Sequence, residues 1–204
     1  CKQKRVPDGQ EANKGDFYTF IAMDSETKLV PVYRVGKRNA ALTNSFMREL
    51  ATRVITRFQL STDSFAPYRD AVDWAFGTEV DYGQIHKEYR ETVEGEKRYS
   101  PASIIRVTKK IMAGNPKPRR ICTSYIERQN LIVRMQCRRF TRLTNAFSKK
   151  LRNHEAAIAL HFFWYNFGRI HKTLRVTPAM EAGLTNRLWT WADLLNWKKQ
   201  AKAA

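Results

Sequence analysis

Between Cys122 and Lys150 the chain reads CTSYIERQNLIVRMQCRRFTRLTNAFSKK, and the only acidic residue in that run is Glu127. Arg128, Arg134, Arg138, Arg139, Arg142, Lys149 and Lys150 surround it. A lone carboxylate in so basic a field points to a metal ligand or catalytic group facing a phosphate backbone. Hard divalent cations prefer carboxylate oxygens, and guanidinium groups grip phosphate through paired hydrogen bonds. A second carboxylate, Asp63, stands where the run Phe58–Thr62 ends. Both have plain structural readings as well. Ser124-x-x-Glu127 fits a capping box, with the glutamate bonded back to the serine amide. Asp63 fits a turn residue after a strand.

The element that must carry Glu127 reads as a helix. Ser124 can cap it, and Ile126, Val133, Cys137 and Phe140 recur at helical spacing as a core stripe. At ~100° per residue, Glu127, Arg134 and Arg138 fall on one line, flanked by Asn130 and Leu131. One face then offers a carboxylate near its start and phosphate contacts along its length.

Composition bounds the partner. The 204 residues suit one domain with room for a small appendage, and 43% hydrophobic with 12% aromatic residues is ample for a core. Lys and Arg total 37 against 19 Asp and Glu, a net charge of +18. A folded chain this basic expects a polyanion, with nucleic acid the first candidate. No apolar run approaches the length of a membrane span. Cys1, Cys122 and Cys137 lack metal-ligand spacing and argue for a reducing, cytoplasmic compartment. The chain opens on Cys1, not Met, and the expectation is a fragment.

In chain order, Asp16–Asp24 and Lys28–Val35 read as an antiparallel hairpin. Asn39–Thr56 reads as an amphipathic helix, with Leu42, Phe46, Leu50 and Val54 four apart. A short strand, Phe58–Thr62, runs into Asp63. A helix over Phe65–Phe76 and a weak strand or loop near Glu79–Tyr82 follow. Residues 84–120 read as an insertion or flap, dense in charge and irregular at Gly114–Arg120. His154–Phe167 reads as a helix apolar on most faces, a short helix begins near Pro178, and Leu188–Lys199 is a last helix. The expected division is a core over 1–150, containing that insertion, and a helical C-terminal extension over 151–204.

Several runs resemble the insertion-sequence-one type of DDE transposases. They are Gly15–Arg38, Leu60–Tyr68, Thr123–Met135, Arg138–Lys150 and Tyr165–Gly183. The most specific are T-S-Y-x-E-R-Q-N and R-R-F-T-R-L-T-N-A-F-S-K-K; Y-N-x-x-R-x-H-K-T-L-R-x-T-P-A is a tail shared by several transposase groups. The resemblance implies an α/β fold with a ribonuclease H-like mixed sheet flanked by helices. It makes Asp63 the second catalytic aspartate and Glu127 the catalytic glutamate. Both would be ligands of a two-metal Mg²⁺ site, with Mn²⁺ as a substitute. The family usually has Asp-Gly at the second aspartate; Asp63-Ser64 departs from that and gives up glycine's backbone freedom.

The family's first aspartate sits in a D-E-x-W type motif that this sequence lacks. Asp8 lies in a Pro/Gly loop, Asp16 opens the hairpin, and Asp24 stands at its turn, where strand counting excludes it. The first strand is therefore expected to be incomplete, with Cys1–Arg5 as its tail and its carboxylate upstream. Weak metal binding and negligible strand cleavage follow as expectations.

The implied partner is DNA, both transposon ends and target, engaged by a homo-oligomer in the bacterial nucleoid without any membrane. Arg128, Asn130, Arg134, Arg138, Arg139, Arg142, Lys149 and Lys150 are the expected DNA contacts of the central run. Arg169, His171 and Lys172 are those of the tail. His86 has no evident partner, His154 and His161 read as packing residues, and Trp189, Trp191 and Trp197 read as core or protein contacts before base-stacking platforms. The competing function is a non-catalytic DNA-binding or regulatory fragment. A nuclease or RNA-binding protein on the same fold is disfavoured by the specific runs.

Overall fold

The computed structural model describes residues 6–9, 14–90, 103–140, 146 and 148–203, the side chains of 198–203 excepted. The expected strand tail Cys1–Arg5 and the candidate Arg142 lie outside them. The chain divides into two compact units: residues 38–124, and residues 1–37 together with 125–204. The helical C-terminal part thus shares a unit with the N-terminal hairpin.

The 38–124 unit starts with helix α1 (Ala40–Ala51), capped by Asn39, whose Oδ1 accepts the Leu42 amide at 3.0 Å. Thr43, Phe46, Met47 and Leu50 form its buried stripe. The helix stops short of the expected Thr56 because Thr52, Val54 and Ile55 are β-branched and add no buried stripe residue. Strand β3 (Phe58–Asp63) follows, then helix α2 (Pro67–Phe76) with proline in its first turn. α2 packs on α1 and leads to strand β4 (Val80–Tyr89), which pairs in parallel with β3.

β4 and strand β5 (Ile104–Ala113) form a long antiparallel pair, giving the mixed three-stranded sheet β3-β4-β5. Residues 84–89 and 104–113 of the stretch expected as an insertion or flap lie in these two strands. Ile104, Ile105, Val107, Thr108 and Ile111 favour strand. Their charged neighbours obscured the pattern because β5 is mostly exposed and does not alternate cleanly. Gly83 in β4 lies where a side chain would press on Ile121: a Cβ would sit 2.6 Å from its Cδ1.

The other unit opens with strands β1 (Tyr18–Ala22) and β2 (Val32–Gly36), the expected hairpin, in register Tyr18↔Gly36 to Ala22↔Val32. Helix α3 (Ser124–Gln136) tightens to a 3₁₀ turn at Arg138–Phe140. Helix α4 (Leu151–Phe163) runs into a π-helical turn, Trp164–Gly168. Short helix α5 (Pro178–Glu181) and helix α6 (Trp191–Ala203) complete it. The core joins Val30, Val133, Ile158, Phe162 and Tyr165, with Ile21, Tyr33, Val35, Cys137 and Phe140 packed around them. α4 buries only Ile158 and Phe162, so it lies on the core with one stripe and does not run through it.

Candidate nucleic-acid interface

Asp63 ends β3, as its strand–turn position predicts, and its side chain is 57% exposed. Its Oδ1 accepts the Phe65 amide at 3.1 Å, and the Arg38 guanidinium stands 3.7 Å from Oδ2. Arg38 also lies over the Phe65 ring at 4.0 Å. The Tyr82 hydroxyl is bonded to the Thr62 hydroxyl and accepts from the Gln84 side-chain Nε2, both at 2.8 Å. Burial, and then the Asp63 charge, push the Tyr68 hydroxyl far above its ordinary value. His86 has a partner after all: its Nδ1 is 3.0 Å from the Ser64 hydroxyl. That contact joins β4 to the residue after Asp63, and no spacing in the sequence announces it.

Glu127 lies in the first turn of α3, exposed, and belongs to the other unit. Ser124 is the first residue of that helix; its amide and hydroxyl are 3.3 and 2.8 Å from the Cys122 Sγ. The line Glu127, Arg134, Arg138 is broken past Gln136, where Phe140 N–H bonds to the Cys137 carbonyl in 3₁₀ fashion. Packing of Cys137 and Phe140 on the core draws the chain in there.

Three of the residues expected to contact DNA, Arg128, Arg169 and His171, are electrostatically linked, and Lys28 joins them. His171 sits in the combined positive field of Lys28, Arg169 and Arg128. Burial first, and then those three charges, hold its imidazole below the ordinary histidine value. Its Nδ1 is buried without a hydrogen-bond partner among the described residues. Lys28, which sequence reasoning missed, adopts φ 61 and lies over the Tyr125 ring at 4.2 Å. The adjacent residues Tyr165 and Asn166 fix its loop. Tyr165 donates its hydroxyl to the Lys28 carbonyl at 3.1 Å; the Asn166 carboxamide accepts the Val30 amide at 3.0 Å and donates to its carbonyl at 2.9 Å. The asparagine of the Y-N-x-x-R-x-H run therefore positions a lysine far away in sequence.

The remaining candidates are dispersed. Arg134, Arg138, Lys149, Lys150 and Lys172 are exposed, and Asn130 is half-buried. Arg139 donates to the Ser148 hydroxyl at 2.9 Å, and that hydroxyl lies 3.3 Å from His154 Nδ1. His154 packs against Phe140 with the rings tilted by 40°, as the packing expectation had it. Asp24 is a turn residue: its carboxylate accepts the amides of Glu26 and Thr27 at 3.2 and 3.0 Å. Burial opposes its ionisation, but the Thr27 hydroxyl, those amides and Lys28 outweigh this and hold it below the usual carboxylate range.

Asp63 and Glu127 are the right kind of donor for Mg²⁺, two accessible carboxylates. Among the described residues no three metal-ligating side chains come together. No described helix is long and apolar enough to cross a membrane. No protein-family model, curated protein or solved structure matches the chain.

Proposed function

We propose that this chain is the catalytic core of a DNA transposase with a ribonuclease H-like fold, acting on DNA phosphodiesters at transposon ends and target. The convergence of Lys28, Arg128, Arg169 and His171 carries this reading. Arg128 comes from the T-S-Y-x-E-R-Q-N run and Arg169 and His171 from the Y-N-x-x-R-x-H run, so two separate motifs supply one cationic cluster. A phosphate there would offset the mutual repulsion of the cations and give the His171 Nδ1 a partner. The order antiparallel hairpin, helix, strand ending in Asp63, helix, parallel strand supports the fold assignment.

In this reading Asp63 and Glu127 are metal ligands, and Mg²⁺ or Mn²⁺ would supply activation of the attacking oxygen and stabilisation of the leaving one. The completing carboxylate comes from outside the described residues. The chain's own cations bind and orient the backbone. A homo-oligomer on DNA belongs to the same proposal.

A second reading, a DNA binder without strand cleavage, is favoured by the local engagement of Asp63, whose carboxylate faces Arg38 and the Phe65 amide. One experiment separates the two. Duplex DNA is titrated with the protein, and nicking is followed with Mg²⁺ and with Mn²⁺. Binding that weakens about ten-fold in Arg169→Ala supports the cluster. Nicking, or weak Mn²⁺ binding without nicking, that is abolished by Asp63→Asn and by Glu127→Gln supports the enzyme; DNA binding with neither supports the second reading. Absence of binding at low salt overturns both.

A further inference from the structure

The C-terminal aromatics do more than fill a core. The indoles of Trp164 and Trp191 stack with centroids 5.3 Å apart and planes 10° from parallel, yet remain 37% and 45% exposed. Gly168 keeps the backbone flat against Trp164, because a Cβ there would collide with its ring. The π-helical turn that brings Gly168 to Trp164 is a departure of the kind that recurs at functional sites.

The two indoles line an open cavity of about 440 Å³, within the ~300–1,000 Å³ range of ligand pockets. Leu160 adds apolar surface; Gln136, His161 and Arg169 add polar groups. The His161 Nε2 is buried without a hydrogen-bond partner among the described residues. Burial, and then the charge of Arg169, hold that imidazole below its ordinary value, which favours the neutral ring with one donor and one acceptor nitrogen.

A fitting ligand must have a flat apolar face for the indoles, a hydrogen-bonding edge for His161 and Gln136, and an anion for Arg169. An apolar side chain would leave His161 unsatisfied, and a phosphate alone would leave the indoles unused. A base within a duplex has its faces stacked and its edge paired, whereas an unpaired base offers both. Arg169 also belongs to the field around His171, so one guanidinium is shared by that field and this cavity.

We infer that the cavity receives one unpaired nucleobase of a DNA strand, its face against the Trp164–Trp191 wall, its edge on His161 and Gln136 and its phosphate on Arg169. This deepens the DNA-binding reading and rests on it.

The test uses the full chain and two duplexes of one sequence, one intact and one with a short single-stranded gap containing 2-aminopurine. The gapped duplex should bind about ten-fold more tightly, a typical effect of one stacked base, and 2-aminopurine fluorescence should fall on binding. Trp191→Ala should remove both effects. Leu160→Trp, which fills the cavity from a half-exposed helical position, should do the same if the alanine variant folds poorly. Equal affinity for the two duplexes with unchanged fluorescence overturns the cavity assignment and leaves the DNA-binding reading standing. Loss of intact-duplex binding in both variants, with unchanged circular dichroism, also overturns it, because the cavity would then serve the duplex backbone. Failure of the unsubstituted protein to bind either duplex overturns both readings.

Discussion

His171 carries its neutral form at the cost of pH range. Its folded pKa is lowered by burial and by Lys28, Arg169 and Arg128, so between the folded value and the ordinary one near 6.5 the unfolded chain binds the proton and the folded chain does not. The contribution to stability is complete above about pH 6.5 and is lost as pH falls through that window toward the folded value. His161 and His154 are shifted the same way, with burial as the largest cause in each. Denaturant unfolding at pH 7.5, 6.5 and 5.5 should show stability falling with pH. Bound DNA phosphate should raise the His171 pKa and blunt the fall. A pH-independent midpoint would remove His171 from the cluster. At this scale the sequence was partly legible: Arg128, Arg169 and His171 stand out by type and motif. Lys28 does not, because nothing local marks a turn lysine as the neighbour of a distant arginine. The Ser64–His86 contact was hidden for the same reason, since it depends on the parallel pairing of β3 with β4.

Among the elements, the π-helical turn does the most positioning. Tyr165 and Asn166 reach from it to the loop ahead of β2, and the buried Asn166 satisfies both polar groups of Val30. Asn166→Ala should destabilise the protein by about 2–4 kcal/mol, since two buried backbone groups lose their partners. DNA affinity should fall in parallel as Lys28 loses its place, and equilibrium unfolding with binding titrations would check both. Undiminished stability would mean that water replaces the carboxamide. The hairpin β1–β2 was readable because its two strands are separate apolar runs around a polar turn. So was α1, by its four-residue spacing. The β4–β5 pair was not, because exposed strands with lysines and arginines between β-branched residues look like a charged loop until pairing is known. The expected end of α3 erred on a different ground. Its apolar spacing continues through Phe140, but core packing of Cys137 and Phe140 tightens the last turn.

For the whole molecule, the net charge of +18 is a statement about association. If about six phosphates are neutralised, affinity should drop roughly 10³-fold between 50 and 200 mM salt. Anisotropy titrations at four salt concentrations measure the slope, and a flat dependence would argue against backbone binding. Composition made a polyanionic partner legible from the start. It could not show that the two carboxylates fall in different compact units, Asp63 in 38–124 and Glu127 in the other. That division follows from long-range packing, which joins the first strands to helices more than a hundred residues later.

The same division imposes an order on biosynthesis. The Val30 backbone is satisfied by a residue 136 positions downstream. At ~5–20 residues per second, the ribosome needs roughly 7–27 s to deliver Asn166 after Val30 has been made. Throughout that interval residues 38–124 emerge whole and can fold, while the N-terminal hairpin waits with its apolar face uncovered. Nascent hairpin strands in that condition are targets for holding chaperones and for pairing with other chains. Shielding of the β1–β2 hairpin until Asn166 is delivered should therefore raise the yield in a cell.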